Sequence, residues 1–288
     1  MSTTPVAVQL VECERSDVAT QKVRLTKEKE TMLISLYARA LHSRSENPVL
    51  RDPWAEQAVD HVDYDFESIK FPKIEPLAIA IRAKQFDVWT CGWIADNPES
   101  TVLHIGCGLD SRVFRVAPPS TVHWFDVDYP EVIDLRRQLY PERPGYCMVG
   151  SSLLEPGWLE DIPGDLPAMV VAEGVMMYLP ASGAGPLLAR LADHFPSGRM
   201  AFDALSTAGA RMAGADRAVS ATGAEFGWGL DDPDDVKKFA PKMELVAELS
   251  SPQLPGHERL PLVMRVLVRV MEPFPKLRRL NRLLLYRF

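Results

Sequence analysis

The chain's 288 residues, 47% of them hydrophobic, suffice for a large buried core, and single α/β domains often reach this size. With 39 acidic against 32 basic residues and a formal net charge of −7, it lacks the basic surface that nucleic-acid binding needs. Its four scattered cysteines, Cys13, Cys91, Cys107 and Cys147, make neither a disulfide framework nor a zinc motif. The first residues show no signal peptide, and no apolar run reaches the ~18 residues of a membrane span, so a cytoplasmic protein is expected.

Residues 1–20 are polar and are expected to pack loosely. From Lys22 to Leu41, the residues Leu25, Met32, Leu33, Leu36, Tyr37 and Ala40 recur at helical spacing. Asp52-Pro53 opens a second helix, with the aspartate as cap and the proline in the first turn. Pro76 to Ile94 reads as a third. Strand and helix then alternate, with strands over 101–106, 121–126, 145–150, 168–173 and 198–203, and helices over 110–117, 130–140, 156–162 and 182–194. That alternation predicts an α/β fold with a mainly parallel sheet and helices on both faces.

Residues 204–230, rich in alanine and glycine, interrupt the rhythm, and so long a loop is usually functional or mobile. Asp231–Asp235 starts another helix, followed by strands near 243–250 and 261–271. The end, Lys276–Phe288, carries Lys276, Arg278, Arg279, Arg282 and Arg287 with no acid among them. Its leucines are expected to pack on the acidic body, a membrane-surface or partner-binding helix being the alternative. The chain thus divides into a helical region over 1–98, an α/β core over 99–275 with an insert at about 204–230, and a basic tail over 276–288.

The most informative stretch is Thr101–Arg112, where an apolar strand enters the Gly106-Cys-Gly108 turn and meets Asp110. About twenty residues on, a second apolar run ends in Asp126-Val-Asp128, the pattern of a nucleotide-binding unit. A phosphate ligand fits it poorly. Ser111 holds the place of the third glycine, and Asp110 would repel a pyrophosphate at the helix start. A cationic nucleoside without phosphate, S-adenosylmethionine, fits better.

In such a sheet the ligand lies beyond the carboxyl ends of the strands. Gly106 and Gly108 allow close backbone approach, and Asp126 or Asp128 can accept both ribose hydroxyls. Ser152 and Leu153 can face the adenine, and Glu173 stands near the ligand's positive end. Arg82, on the helix before the sheet, can clamp the methionyl carboxylate.

Several ordered motifs are similar to those of one family. They are Leu36-Tyr-Ala-Arg39-Ala, Ser43-Arg44, Asn47-Pro-Val-Leu50 and Asp52-Pro53, then Gly106-Cys-Gly-Leu-Asp-Ser-Arg112, Asp126-Val-Asp-Tyr-Pro-Glu-Val132 and Ala172-Glu-Gly-Val-Met-Met-Tyr-Leu179. Over roughly residues 25 to 270 the chain resembles the leucine carboxyl methyltransferase family, most closely its bacterial branch of tetracenomycin-type polyketide O-methyltransferases. The resemblance implies a class I methyltransferase Rossmann-like fold with an N-terminal helical cap, and methyl transfer from S-adenosylmethionine to an oxygen. By position it puts Arg82 on the cofactor carboxylate, Gly106 and Gly108 in the glycine turn, Asp128 on the ribose, and Glu173 after the fourth strand. Two departures stand out. Ser152 replaces a common aspartate at the adenine, and Ala38 stands where the phosphatase-methylating branch carries a lysine.

In-line methyl transfer demands alignment above all. A carboxylate acceptor needs no base, whereas a phenol, near pKa ~10, benefits from one. Tyr37, His42 and Tyr178 are the candidates for orientation or base, Arg44 for holding an anion, and Phe226 and Trp228 for an apolar acceptor pocket. No histidine or cysteine spacing suggests a metal. The expected partner is a small aromatic or polyketide-like substrate, with a homodimer left open. A protein C-terminal carboxyl methyltransferase, a non-catalytic cofactor-binding protein and an NAD-dependent oxidoreductase are the rival functions.

Overall fold

The computed structural model describes residues 21–22, 28–69, 72–214 and 226–288, so the expected loose N-terminus over 1–20 lies outside the described residues. Three helices precede the sheet: α1 (Glu28–Ser43), α2 (Pro53–His61) and α3 (Glu75–Asp96). The expected capping of α2 is present, with Asp52 accepting the Ala55 N–H at 3.0 Å and Pro53 in the first turn. Leu33, Leu36 and Ala40 of α1 bury against Ala55 and Ala58 of α2, and against Leu109, Leu135 and Tyr140 of the following α/β region. That apolar seam seats the helices over the glycine turn.

The sheet has seven strands: β1 (Ser100–Ile105), β2 (Val122–Asp128), β3 (Tyr146–Gly150), β4 (Ala168–Ala172), β5 (Gly198–Leu205), β6 (Glu244–Leu249) and β7 (Asn281–Arg287). Their order is β3-β2-β1-β4-β5-β7-β6, with β7 antiparallel to both neighbours and the remaining pairs parallel. The period of two decides the layers. Leu103, Ile105, Val127, Val170 and Phe202 enter one core with helix α6 (Ala181–His194). Val102, Trp124, Met169, Val171 and Ala201 enter another with Phe86 and Trp93 of α3. β1 pairs with β2 on one side and β4 on the other, so the strand order reverses there and opens a crevice at the strand ends. Helices α4 (Arg112–Val116) and α5 (Pro130–Leu139) follow β1 and β2.

Several sequence expectations are corrected. The segments 156–162 and 231–238 hold short 3-10 turns, Gly157–Asp161 and Pro233–Lys238, rather than α-helices. Within 204–230, β5 runs on to Leu205 and helix α7 (Thr207–Gly214) follows, with 215–225 outside the described residues. The expected strand near 261–271 is helix α8 (Leu262–Met271), entered from Pro261 in extended geometry. Its valines favour strands by propensity, but that preference is weak and context overrides it.

The basic end is not a separate tail. Asn281–Arg287 is inserted between β5 and β6, and Leu283, Leu284, Leu285 and Tyr286 are buried. Its arginines find acids on β6: Arg282 and Arg279 pair with Glu248, and Arg287 pairs with Glu244. Among the described residues no helix is long and apolar enough to cross a membrane.

Candidate functional site

At the carboxyl ends of β1, β2 and β4 lies a cavity of about 360 Å³, floored by the glycine turn and covered by α1 and α3. Its floor begins at Gly106 and Gly108, with φ of 57° and 49°, a region that side chains with a Cβ disfavour. Space is short as well. A Cβ on Gly106 would overlap the Val175 methyls, and one on Gly108 would press on Met32.

Asp128 ends β2 with its carboxylate held by two backbone amides, the Gly108 N–H and the Tyr129 N–H, both at 2.7 Å. Each oxygen keeps a further lone pair for a ligand hydroxyl. Burial pushes its pKa up, against the pull of those two amides. Ser151, Ser152 and Leu153 follow β3 along the cavity wall. The Ser152 hydroxyl accepts the Leu154 N–H at 3.3 Å, which leaves its own proton available for donation.

The far end is strongly charged. Arg82 donates through Nε to Glu173 and through Nη1 to Asp203, each at 2.9 Å. Among the described residues its Nη2 has no hydrogen-bond partner, and it lies beside Gly174. Asp203 also accepts the Gly174 N–H at 2.6 Å, fixing the turn after β4. Glu173 contacts the buried Arg112 as well, and although burial raises its pKa, Arg82 and Arg112 outweigh that and keep it low. Asp203 goes the other way: burial raises it and Arg82 compensates only in part.

Behind these groups Arg112 and Arg115 share Asp87 and Asp110, and Arg115 and Arg39 share Asp52. Asp110 therefore stays well below the usual carboxylate range despite its burial. The helix cap of α2, the glycine turn and the acid after β4 are thereby tied into one buried ion network.

The cavity brings together Arg82, Gly106, Gly108, Asp128, Ser152, Leu153, Glu173, Tyr178 and Phe226 from the sequence-derived candidates. It leaves out the others. Asp126 lies two residues deeper in β2, fully buried and ion-paired with Arg136, and it also accepts from Trp124 at 2.8 Å and Tyr146 at 2.6 Å. Burial raises its pKa, but Arg136 and the hydrogen bond from His104 bring it down to about 2. It is a core ion, with no access to a ribose.

Trp228 is buried against Phe202 and lines no part of the cavity. His42 accepts the Val49 N–H at 2.8 Å at the end of α1, and burial lowers its pKa. Tyr37 packs on Phe66 with centroids 5.3 Å apart, and Arg44 pairs with Asp60 at 2.8 Å near the surface. None of His42, Tyr37 and Arg44 borders the cavity.

Asp203, Arg39 and His104 also line the cavity, and none of them was given a role from sequence. Asp203 was findable, since it closes the fifth predicted strand and the rule of residues after strands covers it. Arg39 stands inside the Leu36–Ala40 motif, while His104 carried no such signal.

The family model described as leucine carboxyl methyltransferase matches residues 32–144. The tetracenomycin polyketide synthesis O-methyltransferase TcmP of Streptomyces glaucescens is 40% identical over 268 residues, covering 93% of this chain and 99% of that protein. The S-adenosyl-L-methionine-dependent methyltransferase dpfgK of Gibberella zeae is 31% identical over 244 residues, covering 77% of this chain and 82% of that one. Among solved structures, an O-methyltransferase family protein from Burkholderia thailandensis superposes with a TM-score of 0.48 at 15% identity, covering 90% of this chain and 70% of that one.

Proposed function

Because the chain belongs to the leucine carboxyl methyltransferase family and is an S-adenosylmethionine-dependent O-methyltransferase, we propose that its strand-end cavity methylates a carboxylate or phenolic oxygen of a flat aromatic or polyketide-like small molecule. The cofactor brings an electrophilic methyl on sulfur, and the cavity residues fit its parts. Asp128 takes the ribose hydroxyls with the lone pairs its two amides leave free. Gly106 and Gly108 hold the tight left-handed turn that forms the floor under the methionyl chain. Ser152 and Leu153 flank the adenine, Glu173 faces the ammonium, and Arg82 offers Nη2 to the carboxylate.

The acceptor reading is carried by one observation. Tyr178 and Phe226 stack at 5.1 Å with 20° between their planes and line the cavity together with Met177, Leu179 and Ile79. Such a ring pair beside apolar walls suits a planar aromatic body. Burial raises the Tyr178 pKa, with Asp203 adding and Arg82 opposing, so its phenol stays protonated at neutral pH. It orients an acceptor oxygen through its hydroxyl and does not serve as the base. In this reading the helices of the 1–98 region and the Phe226 segment form the cap, and the 99–275 core, joined by Arg82 of α3, holds the cofactor.

Assays with aryl carboxylic acids, phenols and a peptide carboxylate test this. Turnover of an aromatic small molecule is expected, and turnover of the peptide alone would contradict it. A carboxylate acceptor gives a rate flat in pH above about 5, since its pKa is ~4, while a phenol gives a rate that climbs toward pH ~10.

A further inference from the structure

Helix α8 presents the wrong face to solvent. At ~100° per residue, Arg265, Val268, Met271 and Glu272 share one arc, and this is the side set against the body. Glu272 reaches Ser250 Oγ from it, at 2.8 and 3.0 Å. The opposite arc holds Leu262, Val263, Val266, Leu267 and Val270, which are 65%, 78%, 53%, 49% and 61% exposed. Phe274 and Leu277 continue the apolar strip beyond the helix end. An apolar stripe of a surface helix normally faces its own core, and a contiguous exposed one marks a contact surface.

Size and charge identify the occupant. These seven residues free an area on the order of the ~800 Å² per partner that a standard protein interface buries. The apolar centre carries no charge, and Arg269 stands at its edge, which is the dry core and polar rim of a protein–protein contact. An anionic membrane fits less well. The chain carries a net charge of −7, and Arg278 and Arg279 beside the strip are occupied by Glu248. The exposed centre is mainly valine, whose single stiff rotamer loses little freedom when a flat surface closes on it.

We propose that α8 is half of a two-fold interface with a second copy of this chain, the outward strip of one copy covering that of the other. A closed two-fold contact lets one self-complementary patch bury itself on both subunits, with no second surface required. The claim stands apart from the identity of the acceptor.

Sedimentation of the full chain across a concentration series tests it, with the double substitution Val263→Glu and Val270→Glu as control. The wild type should sediment at twice its 32.2 kDa mass at micromolar concentration. The variant should sediment as a monomer with cooperative unfolding and wild-type cofactor affinity, since both side chains face solvent within one copy. Its melting temperature should match the wild type's at dilutions where the wild type has dissociated. Hydrogen exchange over 262–277 should slow as the wild type associates.

Four results would overturn the proposal. One is a wild type that stays monomeric throughout the series with freely exchanging 262–277 amides. Another is a dimer that the two glutamates leave intact. Protection of those amides in a wild-type monomer would assign the strip to another segment of the same chain. Pelleting of the wild type, but not the variant, with phosphatidylglycerol-containing vesicles would assign it to a membrane.

Discussion

Asp126 and Asp128 sit two residues apart on β2 and have opposite physical situations. Asp126 is sealed in the core against Arg136, while Asp128 is held by backbone amides at the cavity wall. Replacing Asp126 with asparagine leaves Arg136 buried and uncompensated, which should cost about 3–5 kcal/mol in urea denaturation. The Asp128→Ala change should cost less, about 1–3 kcal/mol, because it leaves the Gly108 and Tyr129 amides without their acceptor but strands no buried charge.

The two acids also separate on titration. Asp126 drops from 3.8 to about 2 on folding, so its contribution is complete above its unfolded pKa and is lost as pH falls toward 2. Asp128, with its raised pKa, protonates at higher pH. Cofactor affinity should therefore fail on acidification before the fold does, and parallel binding and circular dichroism titrations would show the order. By spacing the two acids were equivalent candidates for the ribose, and only the family resemblance pointed to Asp128. What separates them, Arg136 from α5 and Tyr146 from β3, reaches Asp126 from other elements, and local spacing carries no trace of it.

Between elements, the site depends on how closely β1 and the segment after β4 approach each other. Gly106 combines a φ of 57° with contact to Val175, so an alanine there meets two obstacles. The Gly106→Ala substitution should cost roughly 1–3 kcal/mol and abolish cofactor binding. Adding Val175→Ala should restore part of the stability, because it removes the overlap and leaves the dihedral strain. Stability equal in single and double variants would contradict that division.

The parallel strands and the helices after β1, β2 and β4 were legible because each is announced by a local period and a local turn. The 3-10 turns Gly157–Asp161 and Pro233–Lys238 were read as helices, and two longer elements were missed. The valine-rich run at 262–271 satisfies strand propensity and is nevertheless a helix, and β7 reads as a basic tail because its partners β5 and β6 lie elsewhere in the chain. Arg279, Arg282 and Arg287 look unbalanced only until Glu244 and Glu248 are placed beside them.

At the scale of the whole molecule, the chain's last strand is interior to the sheet. Removing residues 281–288 would strip β5 and β6 of their common partner and expose Phe202, which stacks on Tyr286. Such a truncation should lose cooperative unfolding by calorimetry, and a truncated chain that melts like wild type would refute the placement of β7. The cap and the core are in turn joined by the buried ions running from Arg39 and Asp52 through Arg115 and Asp110 to Arg112 and Glu173. That network ties the cap helices to the strand ends that line the cavity.

The most direct test is titration calorimetry with S-adenosylmethionine and S-adenosylhomocysteine on the wild type and on Asp128→Ala. Micromolar binding to the wild type, lost in a variant that still unfolds cooperatively well above the assay temperature, is the predicted result. Undiminished binding to Asp128→Ala, or none to the wild type, would contradict the assignment of the strand-end cavity as the cofactor site.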